Sequence, residues 1–152
     1  MQIAHYLGLL HRSQDELGKA FHEVAASHRE EPDVFHICEQ LARQCEEHSR
    51  ELEPFVGRYS EEAPEEPERL HSELFHGTRS GGLGLLRDLQ DLYLMAAECD
   101  ISWTVIGQAA QGIRDAELLA VVEQYEGETA VQLRWLRTRM KEAAPQALVV
   151  SS

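Results

Sequence analysis

Four separate stretches of this chain repeat apolar residues at alternating steps of three and four, and this pattern constrains the fold more than any other feature. Such steps place side chains along one face of an α-helix. The stretches predict helices over residues 3–28, 33–56, 83–110 and 115–142. Because no stretch shows the two-residue alternation of a strand, we predict an all-α protein.

The residues between the stretches predict where the helices begin and end. Pro32 suits the first turn of the second helix, where the N–H that proline lacks is not needed. Gly57 and Gly112 suit the C-terminal ends of the second and third helices. Asp115 suits the N-cap of the fourth helix, because a short carboxylate can accept from the free N–H groups of the first turn.

The connection between the second and third helices, residues 58–82, is rich in Glu, Pro and Gly and is too long for a tight turn. Such a length suits a crossover that runs along the whole bundle. We therefore predict a four-helix bundle of two antiparallel hairpins joined by a long crossover. Residues 1–143 form its single domain, and residues 144–152 form a C-terminal tail.

Charge and cysteine content narrow the class of protein. The chain has 152 residues, the size of one domain, and 14 basic against 27 acidic residues give a formal net charge of -13. This charge disfavours both nucleic acid and an anionic membrane surface as partners. Three cysteines are an odd number, and the N-terminus lacks the basic start of a signal peptide. We expect a cytoplasmic protein with no disulfide.

Counting from the predicted turns places most polar core positions in one layer at mid-bundle. On helix 2 the stretch "CEEH" gives Cys45-x-x-His48, and on helix 4 the stretch "EGET" gives Glu126-x-x-Thr129. The predicted stripe of helix 4 includes Leu119, Val122, Glu126, Thr129, Leu133, Leu136 and Met140. The predicted layer comprises Gln14, Cys45, His48, Cys99, Glu126 and Thr129.

Two hairpins, a long crossover and a central polar layer resemble the ferritin-like bundle. Its di-iron members place a Glu on each of two helices and Glu-x-x-His on each of the other two. Here His48 matches one residue of the first motif and Glu126 one residue of the second. Cys45 and Thr129 depart from the motifs, and the first and third helices offer no inward carboxylate. The resemblance implies the fold, and the departures predict a degenerate motif without a competent di-iron site.

The layer has two interpretations. Cys45, His48, Cys99 and Glu126 would be acceptable ligands for zinc or a single iron. Alternatively they fill the core, since free Cys packs as a small apolar residue and a buried His can pair with a buried Glu. The absence of paired metal-binding motifs favours the second interpretation, so we expect no cofactor.

A second apolar stripe, formed by Leu94, Ile101 and Val105, lies elsewhere on helix 3. A second copy of the chain would cover it, so we expect a homodimer; burial under the crossover is the alternative. The sequence favours a non-catalytic binding or interaction protein, whose protein or small-molecule partner it does not identify. The alternative is a metal-binding or redox protein that uses the mid-bundle Cys, His and Glu residues.

Overall fold

The computed structural model describes residues 2–60 and 75–150, and these form four long α-helices. The helices are α1 (Ile3–Ser27), α2 (Pro32–Ser60), α3 (Gly81–Gly112) and α4 (Ala116–Pro145). Among the described residues none lies in a strand. The all-α four-helix prediction is confirmed.

Contacts at the helix ends give the directions of the four helices. A short turn makes α1 and α2 antiparallel, and a second one does the same for α3 and α4. The end of α1 meets the start of α3, where His28 contacts Asp88. The end of α2 meets the start of α4, where Tyr59 contacts Asp115. Ser60 and Gly81 therefore lie at opposite ends of the bundle. The predicted crossover that joins them falls mainly on residues 61–74, outside the described residues.

The predicted helix signals are right at three ends and wrong at one. Pro32 begins α2, Gly112 ends α3, and the Asp115 side chain accepts from the Leu118 N–H at 3.1 Å. Gly57, however, does not end α2, which continues to Ser60. A Cβ at Gly57 would face open space, so packing does not require a glycine at this position. The buried ring of Tyr59 holds the last turn against the bundle.

The end of the chain also differs from the prediction. The fourth helix reaches Pro145, and a π-helical turn follows at Gln146–Val150, with Ala147 buried. The segment predicted as a tail therefore continues the helix up to Val150; residues 151–152 lie outside the described residues.

The core lies along the axis of the bundle and consists of aliphatic and aromatic side chains from all four helices. The largest fully buried ones include Leu7, Leu17, Phe21, Leu52, Leu89, Trp103, Leu118 and Leu136. No described helix has a stretch both long enough and apolar enough to cross a bilayer.

Candidate functional site

The central polar side chain of the bundle is His48, which is completely buried. Its Nδ1 lies 3.3 Å from Gln14 Oε1, and its Nε2 lies 3.1 Å from Glu128 Oε1. Burial lowers the pKa of His48, and the nearby Glu128 carboxylate opposes this only in part. We therefore assign a neutral ring.

A neutral imidazole has one donor and one acceptor nitrogen, so it cannot donate to both oxygens. The Gln14 amide nitrogen is buried and has no partner among the described residues. Turning the Gln14 amide by half a rotation resolves the conflict at the ring, because oxygen and nitrogen exchange places and the amide oxygen takes the position without a partner. Gln14 then donates to Nδ1 of His48, and Nε2–H of His48 donates to Glu128.

Aromatic rings fill the space around His48. The Tyr125 ring lies 4.4 Å from the imidazole and the Trp103 ring 5.9 Å, measured between centroids. Trp103 donates from Nε1 to Thr129 Oγ1 at 3.1 Å, and Thr129 donates to the Tyr125 carbonyl at 2.8 Å. Tyr125 donates its hydroxyl to Glu47 at 3.2 Å. The layer is thus a packed and hydrogen-bonded part of the core.

The structure places three of the four predicted metal ligands in the core and the fourth outside it. Cys45, His48 and Cys99 are fully buried. The prediction that Glu126 faces this layer is wrong: its partly exposed side chain accepts from Thr104 Oγ1 at 2.8 Å. The carboxylate that reaches His48 belongs to Glu128 instead.

Without a metal ion the two thiols of the layer are protonated. Burial raises the pKa of Cys45 to about 12 and holds the pKa of Cys99 well above its ordinary value. Metals bind the thiolate, so a metal in this layer would have to displace the protons of two buried thiols. In the part of the chain that the structure describes, no group of three or more His, Cys, Asp or Glu side chains is arranged to hold a metal ion.

The role of Glu128 was not predicted, because two apolar stripes overlap on α4 and the predicted one is not the one that faces the core. Both stripes share Val122, Thr129 and Leu136, which are buried. The observed core stripe adds Leu118, Tyr125, Gln132, Arg139 and Ala143 instead of Leu119, Glu126, Leu133 and Met140. The apolar residues of the predicted stripe that the core does not use, Leu119, Leu133 and Met140, are only partly buried. The signal in the sequence was Tyr125, a large ring next to Glu126.

A second buried polar cluster, which the sequence did not reveal, lies where α1 ends and α3 begins. Asp88 is completely buried and accepts from three donors: His28 Nε2 at 2.8 Å, and Nη1 and the backbone N–H of Arg79, each at 3.0 Å. Arg79 also contacts Asp91 at 3.0 Å. The Arg79 backbone lies so close to Gly84 that a Cβ there would be 2.8 Å from its carbonyl carbon. These hydrogen bonds hold the start of α3 against the end of α1, so we assign the cluster a structural role.

The surface of α3 holds an apolar feature outside the core. The predicted second stripe is exposed: 51% of Leu94, 64% of Ile101 and 43% of Val105 are accessible. Val105 also forms part of an apolar groove of about 320 Å³ between α3 and the start of α1. The groove is lined by Gln2, Ile3, Tyr6, Val105, Ile106, Ala109 and Ile113. This surface is the candidate binding site.

Comparison with known proteins gives no relative of this chain. No protein-family model, no curated protein sequence and no solved structure matches it. The ferritin-like resemblance stays a prediction based on helix order and the degenerate motif.

Proposed function

We propose that this chain is a non-catalytic interaction protein, a ferritin-like helical bundle without a competent di-iron site. Its working surface is the outer face of α3 together with the groove beside α1. The first partner that we assign is a second copy of the chain. The observation that carries this proposal is an exposed apolar surface on α3 whose part from Ile101 to Ile113 contributes no charged residue.

The absence of charge is specific to one part of α3. Charged residues make up 27% of the chain, yet the stretch "ISWTVIGQAAQGI" from Ile101 to Ile113 contains none. The three groove residues at and just before the start of α1, Gln2, Ile3 and Tyr6, are also uncharged.

This distribution favours a second copy as the occupant. Two chains with a formal charge of -13 repel each other over most of their surfaces. The uncharged surface is where two copies can approach without burying an unpaired carboxylate. Apolar side chains that are exposed in one copy can then be removed from water by the other.

The interior gives less support to the alternative of a metal-binding or redox protein. That function would need Cys45 and Cys99 to lose protons in an apolar layer and Glu126 to leave Thr104 and turn inward. It would also need one ring nitrogen of His48 to lose its hydrogen bond to Gln14 or Glu128 and to bind a metal instead. We keep the cytoplasm as the proposed location, because three buried free thiols suit a reducing compartment.

Sedimentation equilibrium of the purified chain tests the proposal. We expect a reversible dimer for the parent protein and a monomer for Val105→Glu, since this change places a carboxylate in the uncharged surface. Val131→Glu is the matched control, because Val131 lies on α4 and is 49% exposed. A parent protein that stays monomeric at millimolar concentration, or a Val131→Glu variant that dissociates equally, would overturn the proposal.

A further inference from the structure

We propose that the two copies pair with their α3 helices antiparallel and with Val105 close to the two-fold axis. In this arrangement Ile101 of each copy enters the α1–α3 groove of the other. The inference rests on the proposed function and specifies the geometry of the same surface.

The positions of charges on α3 favour the antiparallel direction. Leu94, Glu98, Ile101 and Val105 follow one another at helical steps of four, three and four, so they lie along one side of the helix. Parallel helices would set Glu98 against Glu98 of the second copy, and like charges at close range oppose pairing. Antiparallel helices centred on Val105 set Glu98 opposite Gly112 of the second copy and near its Arg114, which is the opposite charge.

The position of the groove also supports a two-fold axis close to Val105. Val105 belongs both to the exposed stripe and to the groove wall. With Val105 at the axis, Ile101 of one copy lies opposite Ala109 of the other, and Ala109 lines the groove. Ile101 is the most exposed large apolar side chain on α3, so its burial contributes the most from this helix. A two-fold interface makes each such contact twice.

A two-fold axis at other positions along α3 is less favourable. A centre near Glu98 would bring the two Glu98 carboxylates together. A centre near Gly112 would bring the two Arg114 side chains together and leave Ile101 of each copy outside the contact. A centre at Val105 uses the whole uncharged stretch from Ile101 to Ile113, about 20 Å of helix.

Single engineered cysteines distinguish these arrangements. A disulfide needs Cα atoms within about 7 Å, so one introduced Cys cross-links two copies only if it lies near the symmetry axis. The native thiols of Cys38, Cys45 and Cys99 are buried and do not compete. We would oxidise Val105→Cys, Leu94→Cys and Val131→Cys mildly with copper–phenanthroline and compare the dimer bands on non-reducing gels.

We expect Val105→Cys to cross-link rapidly and Leu94→Cys not to cross-link, because antiparallel helices hold the two positions 94 about 33 Å apart. Val131→Cys reports random collisions and should stay monomeric. Equal cross-linking of Leu94→Cys would show parallel helices and overturn the inference. A dimeric parent in which Val105→Cys does not cross-link would overturn the central position of Val105. A monomeric parent in sedimentation would overturn the proposed function itself.

Discussion

At the scale of single residues, His48 shows how a buried polar group becomes part of a core. Its ring is neutral, because burial lowers its pKa, and each nitrogen has a partner once Gln14 donates and Glu128 accepts. A buried polar group that keeps its hydrogen bonds costs little stability, whereas an unpaired one costs roughly 1–3 kcal/mol. Glu128→Ala should therefore lower the free energy of unfolding more than Glu126→Ala, because Glu128 contacts His48 and Glu126 contacts Thr104 instead.

The protonation state of His48 predicts a dependence of stability on pH. Because its pKa is lower in the folded chain than the value of 6.5 that is ordinary for histidine, the unfolded chain binds the proton more readily. Stability from this group is complete above that value and is lost as the pH falls through it. The free energy of unfolding in urea should therefore fall less for His48→Gln than for the parent between pH 8 and pH 5.

His22 provides a control of opposite sign for this prediction. Hydrogen bonds to Glu46 and Glu39 raise the pKa of His22, so its contribution is present at low pH and lost as the pH rises. His22→Gln should make the loss of stability on acidification steeper than in the parent. Equal slopes for His48→Gln and the parent would show that His48 does not titrate differently in the two states.

Metal content is the second prediction at this scale. Protein expressed with iron and zinc present should contain less than one metal ion per chain by elemental analysis, because no group of three or more His, Cys, Asp or Glu among the described residues is arranged to hold one and Glu126 lies outside the layer. Two irons per chain would contradict this and restore a di-iron centre. One zinc per chain that is lost in Cys45→Ala would instead support the metal-binding alternative.

At the scale of helices, sequence could predict most boundaries because the signals are local. Pro32 and Asp115 act through one missing or one accepted N–H, and both act as predicted. The prediction that Gly57 ends α2 was wrong, because the effect of a glycine on a helix end depends on what the following turn packs against. Phe55 and Tyr59 are buried on either side of it and keep α2 helical.

The inward face of α4 could not be chosen from the sequence for a similar reason. Two stripes overlap on this helix, and local periodicity cannot distinguish them. The decision comes from tertiary contacts: Tyr125 packs against His48, and Arg139 pairs with Asp33 at 2.7 Å at the start of α2. Residues far apart in sequence therefore decide whether Glu126 or Glu128 approaches the core.

Asp115 gives a prediction at this scale. It caps α4 and also accepts from Tyr59 at 2.6 Å, so it joins the end of α2 to the start of α4. Asp115→Ala should lower the free energy of unfolding by about 1–2 kcal/mol, measured with urea at pH 7. Asp115→Asn keeps an accepting oxygen and should lose less.

Glu117 is the control for the Asp115 prediction. It lies in the first turn of the same helix, and its side chain is 78% exposed. Glu117→Ala should change the stability by a few tenths of a kcal/mol at most, since exposed first-turn carboxylates contribute little. An equal loss in Asp115→Ala and Glu117→Ala would contradict the cap as the source of the effect.

At the scale of the whole molecule, helix order and the position of the ends were predictable, while the groove beside α1 was not. Four stripes and one long connection predict a bundle, and Ser60 and Gly81 do lie at opposite ends of it. Periodicity also identified Leu94, Ile101 and Val105 as a second stripe. The groove beside α1 could not be predicted, because it depends on how α1 and α3 lie against each other.

The balance between the charge of the chain and its uncharged surface predicts how salt affects association. Each copy carries a formal charge of -13, so two copies repel each other at low ionic strength. Raising the salt concentration shortens the range of this repulsion to about 10 Å at 0.1 M and about 3 Å at 1 M. Within Ile101–Ile113 the contact surface contains no ion pair, and salt weakens only the surface contacts between Glu98 and Arg114 at its edges, which contribute little. The dimer dissociation constant, measured by sedimentation equilibrium, should therefore fall several-fold between 20 mM and 500 mM sodium chloride, while Val105→Glu stays monomeric at both. A dissociation constant that rises with salt would mean that ion pairs hold the copies together, and that the uncharged face of α3 is not where they meet.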